Sequence, residues 1–224
     1  MGGRIIALLV SILPLLPVTA QQGQEVQDPA AREVLDKVAA KAKILKSIQA
    51  DFELVIEDRK AKSKNASSGN LLMKQNKYKI TASGNTVLYD GKTMWTYTTQ
   101  NQEVTITEPD NSGEDFLSNP ATLFNLYNRD FKYRYVRETS LNGVKYHEID
   151  LFPKNLNQPY SRIKVFVGLK SEMPEIISSV GKDGVDYTVF MKNYVLDREV
   201  ADAIFTFDIA KNKKVEVIDM RGVK

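Results

Sequence analysis

Cysteine is absent from this 224-residue chain, and histidine occurs once, at His147. The first absence removes disulfide staples, thiol nucleophiles, CxxC redox chemistry and cysteine zinc sites together. The second excludes any site that draws two or more histidine ligands from one chain. Charge of one sign is also missing in quantity. Lys and Arg total 31 against 28 Asp and Glu, a formal charge of +3, too small by itself to mark a nucleic-acid binder or a polybasic membrane protein. Long apolar runs are lacking beyond residue 20. The sequence has no Pro- or Ser-rich linker, no repeat and no low-complexity tract. With 42% hydrophobic and 26% charged residues, it describes a folded globular protein.

The recognisable motifs of catalysis are missing as well. Gly91-Lys92-Thr93 resembles the end of a phosphate-binding loop, but Thr86 stands where that loop needs its first glycine. No GxSxG elbow, HExxH, EF-hand loop or GxGxxG fingerprint occurs. His147, between Tyr146 and Glu148, reads as a surface or structurally bonded strand residue. Carboxylates such as Asp51, Glu53 and Glu57 fall on alternate positions and read as a solvated face, although a hydrolase built on such carboxylates stays open as a weaker alternative. Nothing in the sequence calls for a cofactor or a metal. An Asn65-Ala66-Ser67 glycosylation tripeptide carries no weight alone.

The N-terminus has the form of a cleavable export signal. Arg4 supplies the positive charge, residues 5–18 the apolar stretch, and Val18-Thr19-Ala20 the small residues for cleavage. The apolar stretch holds two prolines and falls short of the roughly 20 residues that span a bilayer. No cysteine follows the cleavage point to carry an acyl anchor. The expected product is one domain, residues 21–224, soluble outside the cytoplasm and in a bacterium periplasmic.

After a polar 21–27 segment, Asp28 and Pro29 form an N-cap and first-turn pair. Leu35, Val38, Ala42 and Leu45 then recur at helical spacing, which predicts an amphipathic helix over 29–46. The period switches to two at Ile48, Ala50, Phe52, Leu54 and Ile56, the mark of a strand with one buried face. A polar loop is expected over 60–69, then strands near 71–74, 77–82, 86–89, 93–98 and 103–107, with Asp90-Gly91 as a hairpin turn. Asn119-Pro120 opens a second short helix carrying Leu123 and Phe124. Further strands follow at 131–138, 144–151, 161–168, 174–180, 185–195 and 204–207. About eleven antiparallel strands in one sheet must curl. The expected fold is α+β and mostly antiparallel: a strongly curved, half-open β-barrel with helices covering its concave face. Phe52, Leu71, Met73, Tyr78, Ile80, Trp95, Tyr97 and Ile106 are the strand residues expected on one concave surface, where the inner face exceeds what two helices fill.

The order of these landmarks resembles the LolA-like family of periplasmic carriers of outer-membrane lipoproteins. The capped helix runs straight into Ile48-Gln49-Ala50-Asp51-Phe52. Gly69-Asn70-Leu71-Leu72-Met73-Lys74 follows, and then Val87-Leu88-Tyr89-Asp90-Gly91-Lys92-Thr93-Met94-Trp95-Thr96-Tyr97. Ala203-Ile204-Phe205-Thr206-Phe207 is similar to the family's terminal Phe-x-Phe strand. The resemblance implies a helical lid over a hydrophobic cavity and a non-enzymatic shuttle. Its partners would be acylated lipoproteins, an inner-membrane release transporter and an outer-membrane acceptor, with the protein acting as a monomer and binding no nucleic acid. Candidate acyl-chain contacts are Leu35, Val38, Leu45, Phe52, Leu54, Ile56, Leu71, Met73, Tyr78, Ile80, Trp95, Tyr97, Ile106, Leu123 and Phe124. Well-studied members carry an Arg-Pro pair whose arginine bonds the lid. Here those positions read Gln75-Asn76, making Gln75 the candidate lid contact, with Lys77 or Lys79 as substitutes. A related branch with the same fold binds lipid or lipoprotein as an envelope-stress sensor, and that alternative stays open.

Overall fold

The computed structural model of the chain describes residues 28–109 and 131–222. The export signal, the second helix and the candidates Leu123 and Phe124 lie outside the described residues.

Helix α1 (Pro29–Ile44) begins where its cap chemistry dictates. The Asp28 carboxylate accepts from Ala30 N at 2.9 Å, Pro29 occupies the first turn, and Lys41 and Lys43 sit in the last turn near the negative end of the helix dipole. Ala31, Leu35 and Val38 form its buried stripe. The predicted end at residue 46 is slightly long, since Leu45 is already extended.

Twelve strands follow: β1 (Ile48–Asp58), β2 (Ser63–Lys74), β3 (Lys77–Ala82), β4 (Asn85–Tyr89), β5 (Met94–Thr98), β6 (Glu103–Thr107), β7 (Phe131–Leu141), β8 (Val144–Pro153), β9 (Tyr160–Gly168), β10 (Pro174–Gly181), β11 (Val185–Leu196) and β12 (Glu216–Asp219). They make one sheet ordered β12-β6-β5-β4-β3-β2-β1-β11-β10-β9-β8-β7, so β12 and β7 are its edges and the barrel stays open. This is the mostly antiparallel, incompletely closed barrel expected from the sequence. Two stretches differ. Residues 63–70 are strand, paired from Ser63↔Asp58 to Asn70↔Asp51. They read as loop because that end of β2 is largely exposed on both faces and needs no apolar residues. Residues 204–207 are not a strand. Asp202–Phe205 is a 3-10 turn, and the last strand is β12, parallel to β6. The helical cover on the concave side consists, among the described residues, of α1 alone.

The helix is tied down at both ends. Asp28 N donates to Tyr133 O at 3.3 Å, and its carboxylate accepts from Tyr135 N at 3.0 Å, joining the helix start to edge strand β7. Lys41 Nζ donates to Ser171 O at 2.7 Å in the β9–β10 turn. α1 therefore crosses one half of the sheet, from β7 to the start of β1.

Candidate lipid-binding face

Directly paired residues lie on the same side of a sheet, and alternate residues on opposite sides. The register therefore assigns every strand residue to the helix side or the outer side. Ile48 pairs with Met73 and Met73 with Tyr78; Ala50 pairs with Leu71 and Leu71 with Ile80. Tyr78 pairs with Tyr89, Ile80 with Val87, and Tyr89 with Met94. These residues, with Leu35 and Val38 from α1, belong to one apolar cluster. Nearest the helix it is a packed core, with Val38 only 3% exposed. Beyond it, Leu45, Phe52, Leu54, Ile80, Val87 and Met94 line the cluster's margin and are only half-buried. Ile56 continues that row on β1 by alternation and is half-buried too.

Gly69 makes this margin smooth. A Cβ there would meet Phe52 Cζ at 2.5 Å and Thr81 O at 2.5 Å, so the Phe52 ring lies against β2 only because residue 69 has no side chain. Below it, Tyr78 and Tyr89 pack with ring centroids 5.1 Å apart, and the Tyr78 hydroxyl donates to Met94 Sδ at 3.7 Å. Burial pushes the Tyr78 hydroxyl up to about 12, so it stays neutral and presents no charge beneath the apolar row.

Trp95, Tyr97 and Ile106 are elsewhere. Leu88 pairs with Trp95 and Trp95 with Ile106, all on the outer side, and Thr86 with Tyr97 and Val104 share it. Their grouping with Phe52 and Tyr78 on one surface is thus corrected by the register. They have their own cover. The chain leaving β11 forms a strap on this side, held to β2, β3 and β5. Asp197 N donates to Ser47 O at 2.9 Å, and Lys74 Nζ donates to Val200 O at 2.8 Å. Asp202 accepts from Lys74 at 2.7 Å and Lys77 at 2.5 Å, which holds its carboxyl down at about 2. The turn Asp202–Phe205 packs on β3 with Phe205 fully buried, and Phe207 packs on Tyr97 with centroids 5.2 Å apart.

Gln75, the expected lid contact, is not buried against α1, the helix among the described residues. It is exposed at the two-residue β2–β3 turn with φ of +56°, and Lys77 beside it holds the strap, not α1. His147 accounts for itself structurally, its Nδ1 2.9 Å from the Tyr135 hydroxyl.

Among the described residues this face offers a continuous apolar surface. The profile of a family described as outer membrane lipoprotein carrier protein LolA matches residues 19–173, more than half of the chain. The protein belongs to this LolA family. The match runs through α1 and β1–β9 and so contains the whole apolar row. No curated protein matches the sequence. Among solved structures, the chain is similar to an uncharacterized conserved protein from Thermus thermophilus, at 12% identity and a TM-score of 0.57, covering 85% of this chain and 99% of that one. A LolA superfamily protein from Nitrosomonas europaea is 14% identical, with a TM-score of 0.46 and coverage of 80% and 98%. A chain of the Pseudomonas aeruginosa MucA/MucB complex is 12% identical, with a TM-score of 0.38 and coverage of 80% and 61%.

Proposed function

We propose that this protein is a periplasmic, non-enzymatic carrier that binds the acyl chains of lipoproteins on the half-exposed helix-side row and shuttles them from the inner to the outer membrane. The observation that carries the reading is the row itself. Leu45, Phe52, Leu54 and Ile80 border the apolar core, Ile56 continues the row, and all five stay half-buried. Leu35, Val38, Leu71, Met73 and Tyr78 form the packed floor it adjoins.

The physical need is large. Each methylene withdrawn from water contributes about 0.8 kcal/mol, so one sixteen-carbon chain left in water costs on the order of 12 kcal/mol. A diffusing acylated protein must hide its chains. An apolar surface suits an acyl chain because dispersion contacts are non-directional and release needs no bond to be broken. An inner-membrane release transporter and an outer-membrane acceptor would supply and receive the cargo.

Mass spectrometry of the protein purified from the cell envelope tests the reading. Co-purified acylated lipoprotein at a stoichiometric ratio is the expected result. Turnover of a small substrate without retained lipid would overturn it in favour of an enzyme. An apolar naphthalene-sulfonate dye should bind stoichiometrically and be displaced by acylated peptide but not by its unacylated form.

A further inference from the structure

The outer side of β7–β9 carries a feature the carrier reading does not use. Register places Arg134 opposite Asp150, Asp150 opposite Lys164, Arg137 opposite Glu148, and Lys132 opposite Phe152, all on the outer side. Arg162 shares it and reaches Asp150 Oδ2 at 3.1 Å, alongside Arg134 at 2.9 Å. Arg137 donates to Glu148 at 3.0 Å. Four cations thus surround two carboxylates, and Lys132 adds a fifth positive charge on the same side. The carboxylates are sunk in the face, Asp150 at 2% and Glu148 at 5% exposure, while the Arg134 and Arg137 side chains are more than half exposed. The buried acids hold the guanidinium planes in place, and the cations' outward sides are what a partner meets. The outer-side acids Asp51, Glu53, Glu57 and Asp186 lie on β1 and β11, at least two strands from β9, with Glu53 opposite Phe190, while Glu175 on β10 accepts from Ser171 Oγ.

Beside this basic field the surface turns apolar. Leu141 and Val144 stand exposed at the tip of the β7–β8 hairpin, and Phe190 is exposed on β11. With Tyr146, Ile176 and Glu175 they line an open groove of about 560 Å³. Cations next to exposed aliphatic and aromatic side chains match a lipid interface, where the former meet phosphates and the latter enter the acyl boundary. An acidic protein or a nucleic acid would use the charge and leave the hairpin tip unexplained.

We propose that the outer face of β7–β9, with the tip of the β7–β8 hairpin, docks on a bilayer surface rich in anionic phospholipid. The docking holds whether or not the helix side takes acyl chains.

Co-sedimentation with vesicles tests it, comparing phosphatidylglycerol mixed into phosphatidylcholine with phosphatidylcholine alone. An uncleaved leader would itself insert, so binding is read as the difference between compositions within one preparation. Uptake of a single lipid on the helix side leaves protein in the supernatant, so sedimentation reads docking alone. The expected result is binding that requires phosphatidylglycerol and weakens with salt. Lys132→Gln, which breaks no buried pair, should weaken it about fivefold, and Val144→Ser should weaken it also, each with an unchanged melt. Binding indifferent to phosphatidylglycerol, or unmoved by both variants, would overturn the proposal. So would retention on an acidic polypeptide such as polyglutamate without any sedimentation with vesicles, which would point to a protein partner instead.

Discussion

The two halves of the sheet are sealed on opposite sides. From β11 to β7 the helix side is closed by α1, with Val165, Ile163, Ile149 and Leu151 buried beneath it, and the outer side is left charged. From β2 to β6 the strap lies on the outer side, tied to β2, β3 and β5, where Leu88, Val104 and Ile106 are buried, and the helix side keeps a half-exposed apolar row. Strand β1 lies between them. A sheet of twelve strands needs apolar cover on one face only to be stable, and the face left over is free for another use. In one half that surplus carries the paired charges of β7–β9 beside an apolar hairpin tip. In the other it is apolar, and an apolar surplus is what a lipid carrier requires.

The comparison can be broken first at the strap. Phe205→Ala deletes a fully buried ring from the cover of the outer side. It should lower stability by about 3–5 kcal/mol, read as a fall in the denaturation midpoint. A loss under about 1 kcal/mol would mean that the strap seals nothing.

A smaller effect is expected from Gly69→Ala. The added methyl meets Thr81 O as well as Phe52, and a backbone oxygen cannot swing aside. The cost should be about 1–3 kcal/mol, accompanied by altered binding of an apolar dye as the Phe52 ring is displaced into the row. An unchanged dye affinity would separate Phe52 from the ligand surface.

The strap's ion pairs should show in acid. Asp202 is held at about 2 by Lys74 and Lys77, below its ordinary range. A lowered carboxylate contributes stability that is present above its unfolded pKa and is lost as pH falls through the folded one. Between about pH 4 and pH 2 the wild type should therefore lose strap protection that Asp202→Asn lacks at every pH. Hydrogen exchange of residues 197–207 reads this, and identical pH profiles in both proteins would contradict it.

The smallest effect concerns Gln75. At φ of +56° in a two-residue hairpin turn, glycine relieves steric cost, so Gln75→Gly should raise stability by under about 1 kcal/mol. Gln75→Arg should leave the melt and ligand uptake unchanged, as befits an exposed turn residue.

Much of this was legible in the sequence. The Asp28-Pro29 cap, the Leu35 and Val38 stripe, and the alternation from Ile48 to Ile56 each state their structure locally, and α1 and β1 follow. The face of Trp95 is different in kind. Alternation shows that Trp95 and Tyr97 share a side, but which side depends on the turn before them. Asp90 accepts from Lys92 N and Thr93 N, setting Tyr89 opposite Met94 and so turning Trp95 outward. The 204–207 segment misled for a related reason. Phe205 and Phe207 alternate as strand residues do, yet a 3-10 turn anchored by Asp202 buries the first and lays the second on Tyr97. Nor could sequence show that Lys74 and Lys77, neighbours of the position expected to hold a lid, instead hold the strap.

Neighbouring residues on β5 give the most direct test of the central claim. Met94 faces the apolar row and Trp95 the strap, and both are half-buried. A photo-crosslinking residue introduced at each position, in cells producing acylated lipoproteins, separates the two sides of one strand. The account predicts capture of acylated lipoprotein from position 94, little from position 95, and loss of the product when the cargo's acylation site is removed. Equal capture at both positions, or capture from position 95 alone, would contradict it.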